Sequence, residues 1–265
     1  MEAISATVIT RNEEADIEEA LLSLKWADEI VVVDCGSTDA TLEICRRHTD
    51  RVFHRDWTGY VDQKNHALEC ARHDWIFSLD ADERVGPELA DEIGRLRISG
   101  FSHAGYRIPR VARFMNRWIR HGDWYPDPQL RLFDRRRGRW QGGRVHESVK
   151  VDGSVGRLQG EIHHYTYRSL SEYLQRLDLY SALAARDYRD RGRRATPWNL
   201  VANPFMTFIR AYFLKRGFLD GVPGLMAALM GSVSVYFKYA RLYEMQLDQA
   251  TTNSSRPGAE RSGMP

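Results

Sequence analysis

The chain has 265 residues, 43% hydrophobic and 28% charged, with 38 basic against 36 acidic side chains and a formal net charge of +2. A mean hydropathy of −0.51 excludes a polytopic membrane protein, and 11% aromatic content with balanced charge excludes a disordered chain. The length accommodates one large domain, or one domain with an appendage.

The charge balance is a cancellation. Residues 1–94 hold 9 basic and 22 acidic side chains, residues 95–144 hold 13 and 3, and residues 145–265 hold 16 and 11. Cys35, Cys45 and Cys70 form neither a CxxC pair nor an even disulfide set, which points to a reducing compartment. With no basic region and long apolar run at the N-terminus, no signal peptide is expected.

In chain order, apolar runs at Ile4 to Ile9, Ile30 to Val33 and Trp75 to Leu79 alternate with amphipathic stretches at Glu13 to Leu24, Asp39 to Arg47 and Pro87 to Leu96. That alternation predicts βαβ units and a parallel sheet. Ser37, Thr38 and Asp39 supply N-cap chemistry for the second helix. From about 100 to 165 shorter β-like pieces follow, at Gly105 to Pro109, Gln129 to Phe133 and Arg144 to Val151, as an antiparallel or irregular extension. Ser169 and Glu172 form a capping-box pattern ahead of apolar positions at helical spacing. Thr196 and Pro197 mark a boundary, Trp198 to Phe213 reads as a helix closed by Lys215, Arg216 and a C′ Gly217, and a last helix is predicted from about Pro223 to Leu247. The expected organisation is one α/β domain over 1–165, with a change of pattern at 98/99. A helical extension over 166–248 and a disordered tail over 249–265 complete it.

Ligands in open α/β sheets bind outside the carboxyl ends of the strands. Three polar clusters fall there: Thr10 to Glu13, Asp34 to Asp39 and Asp80 to Glu83. In the last, Asp80 and Asp82 flank Ala81 just after an apolar strand. At a strand-to-turn transition both carboxylates can reach one hard cation and the phosphate oxygens it binds, the usual arrangement for magnesium or manganese. Neither GxxxxGK[ST] nor GxGxxG is present, so the P-loop and dinucleotide-binding readings lack their motifs.

Thr10-Arg11-Asn12-Glu13-Glu14, Val31 to Asp39 (VVVDCGSTD), Gln63 to Leu68 (QKNHAL) and Asp80-Ala81-Asp82-Glu83 together resemble the family-2 glycosyltransferases of GT-A fold. Trp26 to Ile30 (WADEI), Asp82 to Val85 (DERV), His121 to Asp127 (HGDWYPD), Val145 to Ser148 (VHES) and Lys215 to Gly221 (KRGFLDG) narrow the resemblance to the bacterial branch that includes lipopolysaccharide-core β-1,4-glucosyltransferases. It runs from about residue 3 to 245 and implies that residues 1–165 are the catalytic domain, with a nucleotide-sugar half over 1–98 and an acceptor half over 99–165. It implies a Rossmann-like mixed sheet flanked by helices, a nucleotide-sugar donor such as UDP-glucose, Mg2+ or Mn2+, and inversion at the anomeric carbon. Thr10, Asn12, Glu13 and Asp34 would line the nucleotide pocket, and Lys64 would lie near the uracil or diphosphate. Asp80 would touch ribose and metal, and Asp82 would bind the metal. Many relatives carry two acidic residues where this chain has Asp34-Cys35, which weakens the expected base contact there; Cys35 is expected as a small half-buried filler.

Such a reaction has an oxocarbenium-like transition state and a diphosphate leaving group, so it needs cationic stabilisation at the phosphate and a carboxylate to take the acceptor's proton. On the acceptor side the candidates are Glu147, Asp127 and Asp123. Glu147 is the favoured base and Asp127 the second choice, with His146 a further metal or phosphate ligand. Adjacent strand residues face opposite ways, so only one of His146 and Glu147 faces the pocket unless a bulge turns both inward. The expected acceptor is a glycolipid or core oligosaccharide.

The arginine-rich middle, including Arg135, Arg136, Arg137 and Arg139, reads as a contact for a phosphorylated acceptor or an anionic membrane. In isolation it also suggests RNA binding, but no nucleic-acid motif accompanies it. Paired carboxylates with metal leave a nucleotidyltransferase as a second enzyme reading. Between Gly221 and Phe237 the 17 uncharged residues are short for a span and contain Pro223, Gly224 and Gly231. A membrane-associating helical extension lying on the cytoplasmic face of the inner membrane is expected, which makes the protein cytoplasmic and peripheral. The sequence specifies no oligomeric state.

Overall fold

A computed structural model describes residues 1–142, 147–167 and 169–254. The chain forms two compact units, one of residues 1–113 with 124–166, the other of residues 114–123 with 167 onward.

In the first unit the chain passes through β1 (Ile4–Thr10), α1 (Ile17–Leu22), β2 (Glu29–Asp34), α2 (Thr41–His48), β3 (Val52–His54), α3 (Tyr60–Cys70), β4 (Trp75–Asp80), β5 (Glu83–Val85), α4 (Pro87–Ser99) and β6 (Gly105–Phe114). After β7 (Arg117–Ile119), part of the second unit, come β8 (Asp127–Asp134), β9 (Gly138–Gly142), β10 (Glu147–Val151), β11 (Val155–Arg157) and β12 (Ile162–His164). Strands β3, β2, β1 and β4 are parallel neighbours in that order. The sheet then turns mixed: β8 runs antiparallel to β4 and β6, β12 parallel to β6, and β5 antiparallel to β12. A separate antiparallel ribbon pairs β9 with β10.

The strands explain the two-sided core. Successive side chains point to opposite faces, so Val32, Phe77 and Leu79 join Ile17, Leu21, Leu89 and Ile93 of α1 and α4 in one cluster. Val31 and Ile76 join Leu68 of α3, with Phe133, Trp140 and Val149, in the other. Apolar residues are therefore needed at consecutive positions, as in strands buried on both faces.

Helix starts differ from expectation for a local reason. The segment expected to open α1 is zipped to the loop before α2: Asn12 N–H donates to Ser37 Oγ (2.9 Å), Glu13 N–H to Thr41 Oγ1 (2.8 Å) and Glu14 N–H to Asp39 Oδ2 (3.2 Å). In return Thr38 N–H donates to Asn12 Oδ1 (2.8 Å) and Ala40 N–H to Glu14 Oε2 (3.0 Å). Amides expected to sit in the first helical turn are used across the loop, so α1 begins at Ile17. Ala40, not a Ser, Thr or Asp, occupies the N-cap of α2, while Asp39 Oδ1 accepts from Thr41 N–H (3.0 Å).

The second unit contains α5 (Leu170–Asp190), α6 (Pro197–Ile209) and α7 (Gly221–Ser254). Ser169 accepts from Glu172 N–H at the start of α5, and Thr196 with Asn199 closes a reciprocal capping box on α6. After α6 one π-helical turn spans Arg210–Leu214 and a 3-10 turn spans Gly217–Asp220. The left-handed residue after the turn is Arg216 (φ 56°), not Gly217. Gly217 serves close approach instead, since a Cβ there would stand 2.8 Å from Ala211 O. Helix α7 is continuous through Pro223, Gly224 and Gly231. Pro223 falls in its first turn, where no helical N–H bond is lost, and a Cβ on Gly224 would stand 2.0 Å from Gly217 O. Helix α7 runs to Ser254, and the tail residues 255–265 lie outside the described residues.

Two motifs quoted for the family resemblance meet in this unit. The Asp220 carboxylate accepts from Arg120 N–H (3.0 Å), His121 N–H (2.8 Å) and pairs with His121 Nδ1 (2.9 Å). Arg210 (2.7 Å) and Lys215 (2.9 Å) hold Asp123. Burial alone would raise the Asp123 carboxyl, but these two cations hold it below its usual range. Asp123 is thus engaged in a structural ion triad.

Candidate active site

The register brings the predicted donor residues to one edge. Thr10 pairs with Asp34 across β1 and β2, and Ile9 pairs with Asp80 across β1 and β4. Thr10, Asp34 and Asp80 therefore end three adjacent parallel strands. The Thr10 hydroxyl is buried with no hydrogen-bond partner among the described residues. Asp34 is fully buried and shapes its own turn, accepting from Gly36 N–H (2.9 Å) and Ser37 N–H (3.0 Å), with Gly36 at φ 86°. Asn12 and Glu13 spend backbone or side-chain groups on the loop zipper described above. Cys35 is buried, and burial, then the neighbouring Asp34 charge, pushes its thiol up to about 11, so it is not a nucleophile at neutral pH.

Helix α3 aims the next group. In its Gln63-Lys64-Asn65 run, the Gln63 amide donates to Arg55 O (3.1 Å) and Asp56 O (2.5 Å), tying the helix to the loop after β3. Asn65 acts as a peptide mimic for β9, donating to Trp140 O (3.0 Å) and accepting from Trp140 N–H (3.1 Å). Between them Lys64, 4% exposed, lies 4.3 Å from the centre of the Trp140 ring. Its Nζ bridges Asp80 Oδ1 (2.9 Å) and Glu147 Oε1 (3.3 Å). The carboxylates of Asp80 and Glu147 thus share one buried ammonium.

A chain of alternating charge continues from there. Arg131 of β8, 3% exposed, contacts Asp80 Oδ2 (2.6 Å) and the fully buried Glu83 Oε1 (2.9 Å). Arg110 of β6 contacts the same Glu83 oxygen (3.0 Å) and clamps Asp127 Oδ2 with Nε (2.8 Å) and Nη2 (2.6 Å). Gln129 donates to the other Asp127 oxygen (2.6 Å). Burial alone would raise the Asp80 carboxyl, but Arg131 and Lys64 hold it well below the usual carboxylate range. Asp82 pairs instead with His164 Nε2 (3.2 Å), whose Nδ1 lies 3.0 Å from Thr166 Oγ1.

Of the predicted residues, Lys64, Asp80 and Glu147 are brought into direct contact, and Asp127 joins them through Arg110, Glu83 and Arg131. His146 lies outside the described residues. Arg131, Arg110, Trp140 and His164 are additions, and Glu83, a member of the Asp80 to Glu83 cluster, gains a role as the buried link between the two arginines. A lone arginine inside the apolar run Leu130 to Phe133 signals Arg131, because a charge at a central strand position requires a buried partner. Nothing in the spacing signals that His164 reaches Asp82. The arginine-rich segment is largely used within the unit: Arg135 donates to Leu68 O (2.7 Å) and Ala71 O (2.6 Å) at the end of α3, and Arg136 pairs with Asp134 (2.6 Å) and Asp74 (3.1 Å).

A mixed sheet of this order flanked by helices, with an Asp-x-Asp turn after a parallel strand, is the fold of a GT-A glycosyltransferase. The model of the glycosyl transferase family 2 matches residues 5–150, and the chain belongs to that family. It is 30% identical over 257 residues to the lipopolysaccharide core biosynthesis glycosyltransferase LpsC of Rhizobium meliloti, covering 94% of this chain and 95% of that protein. It is 29% identical to the uncharacterized glycosyltransferase RT0209 of Rickettsia typhi, covering 93% and 89%. Among solved structures, S. aureus TarS 1-349 in complex with UDP-GlcNAc aligns over 94% of this chain and 92% of its own with a TM-score of 0.46 and 14% identity.

Proposed function

We propose that this glycosyltransferase transfers a hexose, glucose from UDP-glucose in the first instance, to a lipopolysaccharide-core or other lipid-linked acceptor, with inversion. Its likeness to LpsC along nearly the whole chain supports the acceptor class. The carrying observation for the chemistry is the Lys64 bridge, which joins a carboxylate at the end of β4 to one on β10. Lys64 orients both and keeps cationic charge beside the place where a departing diphosphate becomes more negative.

The two acceptor-side candidates differ in what their oxygens are doing. Both oxygens of Asp127 are taken, by Arg110 and Gln129. Glu147 has one oxygen on Lys64, and among the described residues its other oxygen takes no hydrogen bond. A general base needs an oxygen available to the acceptor hydroxyl, so Glu147 takes that proton and Asp127 serves as a scaffold for Arg110.

Among the described residues no group of three or more His, Cys, Asp and Glu side chains gathers as a complete metal site. The donor set still fits Mg2+ or Mn2+ that completes its sphere with diphosphate oxygens and water. Asp82 would hold it, with His164 beside it, while Asp80, both oxygens already on cations, is suited to the ribose. Bound there, the ion neutralises charge on the leaving diphosphate. Thr10 and Asp34 would border the nucleotide, and the acceptor would be met at the cytoplasmic face of the inner membrane.

The deciding experiment combines donor binding with transfer. Glu147→Gln is expected to lower transfer from UDP-glucose by at least about a hundredfold, a general base's usual share, with UDP affinity within a few-fold of the parent. Full transfer by that variant moves the base elsewhere. A parent enzyme that neither binds nor turns over any UDP-sugar rejects the donor assignment.

A further inference from the structure

We propose that the second unit docks on an anionic phospholipid surface through one face, formed by α6 and the turns that follow it, lying in the plane of the interface without crossing it. The proposal rests on the membrane location given above and assigns the contact. Helix α6 has no buried residue, and Trp198, Val201 and Phe205 repeat at i, i+3 and i+7 along one exposed stripe. Trp198 is 74% exposed. The apolar exposure continues after the helix through Phe213, Leu214 at 72%, Phe218, Leu219 and Val222. Apolar surface of this extent is not left open to water without an occupant.

Charge identifies the occupant. Residues 191–219 contain six basic side chains and no acidic one; Arg210 and Lys215 are held by Asp123 and Arg191 by Asp187, which leaves Arg193, Arg194 and Arg216 with no ion pair among the described residues. Arg193 and Arg194 are exposed a few residues before Trp198, and Lys215 and Arg216 are exposed among the second group of apolar residues. A second copy of this chain on the same face would oppose cations to cations. An anionic bilayer meets both the apolar stripe and the charge, with Trp198 at the headgroup level.

Helix α7 passes a length-and-composition test for a span over Gly217–Gln249, yet its surroundings favour the in-plane arrangement. The 17 uncharged residues from Gly221 to Phe237 extend about 25 Å as a helix, short of the roughly 30 Å hydrocarbon core. Beyond them Lys238 contacts Tyr188 and Arg241 pairs with Asp178, both on the charged α5. Ser232 Oγ donates to Pro204 O (2.8 Å), which holds α6 along the uncharged part of α7.

The test is flotation of the full-length protein with vesicles of phosphatidylethanolamine and phosphatidylglycerol, against vesicles of phosphatidylcholine alone. The parent is expected to float with the anionic vesicles and to be released by high salt with alkaline carbonate. Arg193→Gln with Arg194→Gln should weaken partitioning roughly 30-fold, two interfacial cations at about 1 kcal/mol each. Phe205→Ser should lower binding to both vesicle types, and lipids brominated near the headgroup should quench the parent's fluorescence more than that of Trp198→Phe. UDP-sugar hydrolysis in detergent is measured on every variant and should match the parent, so loss of flotation with intact turnover concerns this face alone. Protein that resists salt and carbonate spans the bilayer and overturns the proposal. Oligomers broken by Phe205→Ser with unchanged flotation overturn it too, in favour of a second copy.

Discussion

Arg131 is enclosed between two carboxylates, Asp80 at 2.6 Å and Glu83 at 2.9 Å, and Glu83 is fully buried. Replacing it by Met would leave Arg110 as the cation on Glu83, which also accepts from Asp80 N–H (3.0 Å), and Lys64 as the cation on Asp80. Breaking a buried ion pair from one side costs about 3 to 5 kcal/mol, so Arg131→Met should lower the urea midpoint by that much stability. The pH dependence has a definite sign. The folded Asp80 carboxyl is held below its unfolded value near 3.9, so its contribution is fully present above that pH and is lost as pH falls through the folded value. The parent should therefore lose stability steeply below about pH 4, and Arg131→Met, with a smaller shift at Asp80, should lose it less steeply there. Equal acid limbs would show that Asp80 is not the group responsible. At this scale the sequence displayed Asp80, Lys64 and Glu147 as separate motif members, because chemistry selects residue types at strand ends. Their common contact was not legible, since Lys64 and Glu147 are 83 positions apart and meet where the β9–β10 ribbon lies on α3.

Elements rather than contacts decide how Glu147 is held. It begins β10, which among the described residues pairs with β9 alone, and β9 is fastened to α3 by the paired Asn65 bonds to the Trp140 backbone. Asn65→Ala deletes both bonds and leaves backbone groups of Trp140 to be satisfied otherwise, at about 1 to 3 kcal/mol. The ribbon should loosen, so kcat is expected to fall roughly tenfold or more while the KM for the UDP-sugar changes little, a split steady-state kinetics would reveal. An unchanged kcat would mean that Glu147 is positioned without the ribbon. Strands and one cap were legible here because they are local: apolar runs gave β1, β2 and β4, and Ser169 caps where its side chain predicted, while Thr196, read only as a boundary, caps α6. The late start of α1 and the left-handed Arg216 were not, because each follows from a partner distant in sequence or from backbone packing that no propensity encodes.

At the scale of the molecule, the near-zero net charge is physical as well as arithmetic. The acidic excess of residues 1–94 is answered inside the first unit by arginines that β6, β8 and the turn after them contribute: Arg110 and Arg131 to Glu83, Arg131 to Asp80, and Arg135 and Arg136 to Asp74. In residues 191–219, Arg191 pairs with Asp187 and Arg210 and Lys215 with Asp123, whereas Arg193, Arg194 and Arg216 take no ion pair among the described residues and lie exposed beside apolar residues. These two populations of charge should respond differently to salt. Enclosed pairs are little screened, whereas exposed cations facing a charged surface lose their attraction as the Debye length shrinks from about 10 Å at 0.1 M to about 3 Å at 1 M. Across that range the thermal midpoint should stay within a few degrees while the fraction bound to phosphatidylglycerol-containing vesicles falls severalfold. A midpoint that collapses with salt while vesicle binding holds would mean that the fold depends on exposed pairs and that the lipid contact is purely apolar. That would reverse the division between an internally neutralised catalytic unit and a cationic docking unit.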